Sequence, residues 1–315
     1  MLVSEKTPLV FMHIPKTGGM SLFTAFCSLW GSRIADLYNV SCAAPAAAAR
    51  AIQNADLCLY CGHFSFGLHE FFDRPVYYAS VVRHPVERVT SLYYFVLPVL
   101  HSARRAMSKK AMTAREALFK PGMPDYYQDF LPWLETEQTP EAFFASPSAD
   151  LDNGMVRRFS GVGLRSGPCP VEALGQAKAA VERYFSVVGV LERYSDTLRL
   201  METKLGLPSL SENRVNVNDK KGAGGQLSAD IVRRIETMNA LDIAFYEWVC
   251  DRFDTELTDP SPAVLVPGGG RQGDPAAVLW RAVGTSPLRD AAMKLRGVPT
   301  RVEPRPAPLV RHYLA

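Results

Sequence analysis

Apolar residues fall along this chain in two kinds of run. Short unbroken runs, Pro8–Ile14 (interrupted only by His13), Asp56–Gly62, Val76–Val82 and Phe185–Val190, have the length and composition of strands buried on both faces. Longer segments space their apolar residues three and four apart, as helices do. Ser21–Trp30 shows this in Leu22, Phe23, Phe26, Leu29 and Trp30. Further helices are expected over Asp152–Phe159, Val171–Arg183, Tyr194–Leu205 and Leu227–Phe253, the last bent near Asn239. His84-Pro85 opens another, because proline suits a first helical position, and Val86–Leu97 carries it to Pro98. The alanine-rich stretch before Asp56 favours helix as well. Strands alternating with helices predict an α/β fold with a mostly parallel sheet and helices on both faces.

Two segments interrupt the alternation. His101–Lys120 is basic, with six lysines and arginines against Glu116; a solvated helix face is its ordinary explanation, and an anionic partner the alternative. Pro121–Pro147, rich in proline and aromatics, reads as an insertion of loop and short helix. From Thr258 a Pro/Gly-rich linker begins. The expected division is a folded unit over 1–257 and a tail over 258–315 with short helices at Ala276–Val283 and Leu288–Leu295.

Composition narrows the class. Of 315 residues, 47% are hydrophobic and 21% charged, which suits a globular protein with a sizeable core. A net charge of +3 does not by itself argue for nucleic acid. No apolar stretch approaches the ~20 residues of a membrane span. The N-terminal MLVSEKTPLVF lacks the apolar core and cleavage site of a signal peptide, so a cytoplasmic location is expected. The six cysteines are scattered and read as reduced thiols. Cys58 and Cys61 have C-x-x-C spacing but no second pair, so no metal is expected.

The chemistry concentrates where the first strand ends. Pro15 stops it; Lys16, Thr17, Gly18 and Gly19 follow, then Met20, Ser21 and the first helix. A lysine and two conformationally free glycines before a helix N-terminus suit a doubly charged oxyanion. An ordinary strand-to-helix turn is the plain alternative. The order is not that of a Walker A loop, since the lysine precedes the glycines. Arg83 ends the Val76–Val82 strand, and Ser91 lies about two turns into the next helix. Ligands of open parallel sheets bind beyond the carboxyl ends of the strands, so both strand ends can face one crevice. An arginine fork with a hydroxyl suits a second phosphate. Pairing of Arg83 with Glu87, and an outward-facing Arg88, are the structural alternatives. Lys220–Gly225 is a third anion-friendly stretch.

These segments carry a family resemblance. HIPKTGGMSL resembles the 5′-phosphosulfate loop of sulfotransferases that use 3′-phosphoadenosine 5′-phosphosulfate (PAPS), and RHPVERVTSLYYF resembles their 3′-phosphate motif. YCGHFSF, DNGMVRRFSG, YFSVVGVLERYSDTLRLMETKLG and KKGAGG follow in the order of the heparan sulfate 2-O- and 6-O-sulfotransferases and their bacterial relatives. The resemblance spans roughly Pro8–Phe253 and implies a P-loop NTPase-like sheet. It implies that Lys16 meets the bridging oxygen and 5′-phosphate. Thr17, Gly18, Gly19, Met20 and Ser21 would cradle the phosphosulfate, mostly by backbone N–H. Arg83 and Ser91 would hold the 3′-phosphate, Lys221 and Gly222 would close over the nucleotide, and His63 would be the general base. His69 and Glu70 are second candidates for that role. Met20 stands where the family usually has Thr or Ser; the backbone donor remains and a hydroxyl is lost. The expected activity is sulfuryl transfer from PAPS to a hydroxyl, of a carbohydrate by preference, without a metal. A P-loop nucleotide kinase or NTPase, and a non-catalytic nucleotide- or glycan-binding relative, are the competing readings.

Overall fold

A computed structural model describes residues 1–38, 52–53, 56–110, 113, 129–136, 139–162, 167–210 and 227–271. Its centre is a sheet of five parallel strands: β1 (Leu9–Met12), β2 (Ile34–Asp36), β3 (Leu59–Gly62), β4 (Val76–Val82) and β5 (Phe185–Val190). The order is β2-β3-β1-β4-β5. Every residue of β1, β3, β4 and β5 is buried, which is why their sequences show no polar alternation. β1 lies between β3 and β4, with Leu9 opposite Leu59 on one side and Tyr77 on the other. The chain leaves β1 towards β2 and leaves β4 towards β5, in opposite directions across the sheet. The carboxyl ends of β1 and β4 therefore flank a topological switch point, where such sheets bind ligands.

The helices are α1 (Gly19–Trp30), α2 (Pro85–Lys110), α3 (Leu131–Glu135), α4 (Pro140–Phe143), α5 (Gly154–Phe159), α6 (Glu172–Tyr184), α7 (Tyr194–Leu205), α8 (Ala229–Met238) and α9 (Ala240–Thr258). α1 turns Leu22, Phe26 and Trp30, four apart, into the sheet core. A second apolar cluster joins Val89, Leu92, Val96 and Leu100 of α2 to Trp133, Phe143 and Ile235 from α3, α4 and α8.

Three elements differ from the sequence expectation. α2 does not end at Pro98 but runs through it to Lys110. A proline inside a helix costs about 3 kcal/mol. Beyond it Leu100 and Ala103 are buried in the second cluster, and a buried leucine is worth about 1.5–3 kcal/mol. β2 falls in a segment that reads as connection, since three residues are too few to show a period. The Pro/Gly stretch after Thr258 is built into the fold as far as Arg271. Leu265–Val266 forms β6, antiparallel to the start of β4. Gly269, Gly270 and Arg271 then donate backbone N–H bonds to His69, Phe72 and Glu70. The alanine-rich helix (apart from 52–53), most of the basic segment beyond 110, Lys221, Gly222 and the two tail helices lie outside the described residues. No helix among the described residues is long and apolar enough to cross a membrane.

Candidate active site

The turn between β1 and α1 is held in a shape that few residues tolerate. Lys16 has φ +71° and Gly18 φ +75°. A lysine in the left-handed region is strained, and such strain concentrates at functional sites. Thr17 is buried and spends its hydroxyl hydrogen on the Ile14 carbonyl at 2.8 Å. That fastens the turn from inside and leaves the Thr17 side chain without a proton to give a ligand. Gly18 is the N-cap of α1; no side chain caps it, and no acid occupies the first turn. The helix therefore presents its partial positive charge unshielded.

The two glycines are dictated by what lies against them. A Cβ at Gly18 would sit 2.4 Å from Leu191 Cδ1, and one at Gly19 would sit 2.1 Å from His13 Cδ2. Met20 is partly exposed and Ser21 is buried. Ser21 donates its backbone N–H to the Gly18 carbonyl at 3.1 Å.

Arg83 closes the other side. Its Nη1 donates to the Lys16 carbonyl at 3.3 Å and its Nη2 to Glu87 at 3.3 Å. The guanidinium makes the ion pair and also reaches the turn. Residues four apart share a helix face, so Glu87, Ser91 and Phe95 form one stripe along α2. The Lys16 ammonium lies 3.9 Å from the centroid of the Phe95 ring. Lys16 thus meets Arg83 through its backbone and Phe95 through its side chain, and Ser91 lies between Glu87 and Phe95 on the same stripe. Burial, with the Arg83 charge beside it, lowers the Lys16 ammonium to about 8. Phe95 was not among the residues singled out from the sequence; its spacing from Ser91 was the available signal. Glu192, just after β5, accepts the His84 backbone N–H at 3.0 Å and so holds the entry to α2.

His63 follows β3. Its Nδ1 lies 2.8 Å from the His13 carbonyl oxygen. A carbonyl can only accept, so Nδ1 carries the proton and neutral His63 keeps Nε2 as a base. The ring sits 4.5 Å from that of His13 and 4.8 Å from that of Tyr38. Tyr38 in turn hydrogen-bonds His13 Nδ1, and its hydroxyl lies 3.1 Å from Cys61 Sγ, a free thiol. Burial drives His63 down to about 4, partly offset by the bond to His13. The nearby Arg158 and Lys16 charges push it the same way as burial. Burial also lowers His13 well below the ordinary imidazole value.

His69 and Glu70 stand elsewhere. His69 packs on Tyr78, in the N-terminal half of β4, and Glu70 pairs with Arg271 at 2.7 Å. Neither is tied to the turn.

Behind the crevice lies a charge cluster that the sequence did not predict. Arg158 grips Asp150 with both terminal nitrogens, at 2.6 and 3.2 Å. Arg88 is wholly buried rather than outward-facing; it donates to the Asp150 carbonyl at 2.9 Å and lies 3.6 Å from Asp242. Asp242, on α9, accepts the Met155 and Val156 N–H groups at the start of α5. The Arg158 carbonyl accepts the Phe66 N–H at 2.9 Å, tying the segment after His63 to α5.

The cationic turn, the uncapped helix N-terminus and Arg83 thus sit together at the switch point of a mostly parallel sheet in an α/β fold. A model of the sulfotransferase family matches residues 1–249, and the chain belongs to that family. No curated protein matches it.

Proposed function

We propose that this protein moves a sulfuryl group from PAPS to a hydroxyl of a carbohydrate acceptor, as a cytoplasmic member of the heparan sulfate 2-O-/6-O-sulfotransferase-like group with a P-loop NTPase-like sheet. The observation that carries this reading is the bond from Arg83 to the Lys16 carbonyl. It joins the two anion-binding elements on one crevice, as a nucleotide phosphorylated at both ends requires. Gly18, Gly19, Met20 and Ser21 offer the 5′ side backbone N–H groups and the helix dipole. Thr17 contributes through its backbone, and Arg83 with Ser91 suits the 3′-phosphate. Lys221 and Gly222 are proposed to close over the nucleotide.

The donor supplies an activated sulfuryl group, and the remaining work is positioning and charge stabilisation, as in phosphoryl transfer. His63 Nε2 takes the proton of the acceptor hydroxyl, a role typically worth ~10²–10⁴-fold. Lys16 stabilises the charge that develops on the oxygen leaving with the nucleotide, worth on the order of 10²–10³. Negative charge at the turn offsets Lys16 and raises the basicity of His63 when it is needed. The scheme calls on no metal.

The test is transfer of radiolabelled sulfuryl from PAPS to panels of saccharides, lipids and tyrosyl peptides. Label on a saccharide, lost in His63→Ala and Lys16→Ala, is expected. Near wild-type transfer by Lys16→Ala would overturn the mechanism.

A further inference from the structure

The contact between Lys16 and Phe95 is unlike the rest of the crevice. Phe95 is one of only five large apolar side chains that stand exposed among the described residues, at 47%. It does not join the apolar cluster that its helix neighbours Leu92 and Val96 build. Its ring instead carries the Lys16 ammonium at 3.9 Å. Lys16 needs such a partner. Its backbone is strained, its side chain is largely withdrawn from water, and the Arg83 charge acts against its own. Glu87, on the same stripe of α2 as Phe95, is engaged by Arg83. The imidazoles of His13 and His63, on the other side, are held neutral by burial. An aromatic face offers negative quadrupole without a counter-charge that a bound oxyanion would have to displace.

We propose that Phe95 is a positioning residue for Lys16: its exposed ring holds the ammonium, charged, at the mouth of the crevice until an anionic ligand takes it over. A carboxylate in that place would also keep the lysine charged, but it would repel the anion. The aromatic ring does the first without the second. The importance of this for turnover rests on the role proposed above for Lys16; the contact itself does not.

The test reads Lys16 directly. Competitive labelling of its amine with trace acetic anhydride across a pH series, quantified by peptide mass spectrometry, gives its titration midpoint without turnover. The variants are Phe95→Leu, which keeps an apolar side chain, and Phe95→Tyr, which keeps a ring. Both change an exposed position, and equal melting temperatures verify that the fold is kept. Burial and the Arg83 charge by themselves bring the amine to about 8, and the ring should hold the wild-type midpoint above that of a protein without it. In Phe95→Leu it should fall by about 0.5–1.5 pH units, the size of a cation–π contact between exposed and desolvated limits. Phe95→Tyr should restore it. An unchanged midpoint in Phe95→Leu, or an equal fall in Phe95→Tyr, would overturn the proposal. Because the label reads the amine itself, a failure to transfer sulfuryl would count against the proposed function alone.

Discussion

Arg83 donates to the backbone carbonyl of Lys16 at 3.3 Å, across 67 residues of sequence. One residue follows β4 and the other follows β1, so the bond spans the switch point of the sheet. Replacing Arg83 by alanine should leave the sheet intact and weaken the binding of 3′,5′-bisphosphoadenosine. A hydrogen bond to a charged group is worth about 1.5–3 kcal/mol, or roughly 10–100-fold in affinity. Arg83→Lys should recover only part of this, since a single ammonium cannot reproduce the fork. Isothermal titration of the three proteins checks both statements.

The dependence of kcat/KM on pH should be bell-shaped. His63 must be neutral, which holds above about 4, and Lys16 must be charged, which holds below about 8. Rates measured from pH 3.5 to 9.5 should fall at both ends. The alkaline limb should move to lower pH in Phe95→Leu. A single limb rising through pH 9 would contradict the assignment of Lys16.

Stability should carry its own acid signature. His63 titrates at about 4 in the fold against 6.5 as a free imidazole, so the unfolded chain takes up the proton first. Stability is then full above about pH 6.5 and is lost as the pH falls towards about 4. His13, lowered from the same ordinary value, acts in the same direction. Melting temperatures between pH 4 and 7.5 should fall less steeply in His63→Gln, whose amide can still donate to the His13 carbonyl but does not titrate.

The strands, the turn after β1 and the arginine after β4 are legible in the sequence. Unbroken apolar runs marked four strands because both faces of the sheet are covered. The turn stands out because a lysine and two glycines between a buried strand and a helix suit an oxyanion, although an ordinary turn also uses glycine. What escaped has a physical reason in each case. β2 and β6 are too short to show a period. Pro98 signals a stop that a helix ignores when residues on both sides of it are buried. Arg88, Arg158, Asp150 and Asp242 look like surface charges in one dimension; only the packing of α2, α5 and α9 shows that they neutralise one another. Phe95 passed as one more apolar residue of a helix.

That cluster should be costly to break. Asp242→Ala removes the partner of a buried Arg88 and two acceptors for the start of α5. Loss of one member of a buried pair costs about 3–5 kcal/mol. Urea denaturation should show a loss of this size, whereas Arg199→Ala, whose pair with Asp196 is exposed, should change stability by less than about 1 kcal/mol.

Gly19→Ala should push the turn against the His13 ring, since its Cβ would lie 2.1 Å from that ring. Overpacking of this kind costs about 1–3 kcal/mol. If His13 is the obstacle, His13→Ala with Gly19→Ala should be more stable than the sum of the two single changes allows. Strict additivity in that double-mutant cycle would show that the glycine is needed for another reason.

The most direct measurement compares two nucleotides on the wild-type protein. Melting temperature is followed with 3′,5′-bisphosphoadenosine and, separately, with ATP and Mg²⁺, each over a range of concentrations. A two-anion crevice formed by Lys16, the α1 N-terminus and Arg83 predicts a rise with the bisphosphate that is lost in the Lys16→Ala, Arg83→Ala double variant. Stabilisation by ATP–Mg²⁺ with no response to the bisphosphate would contradict it.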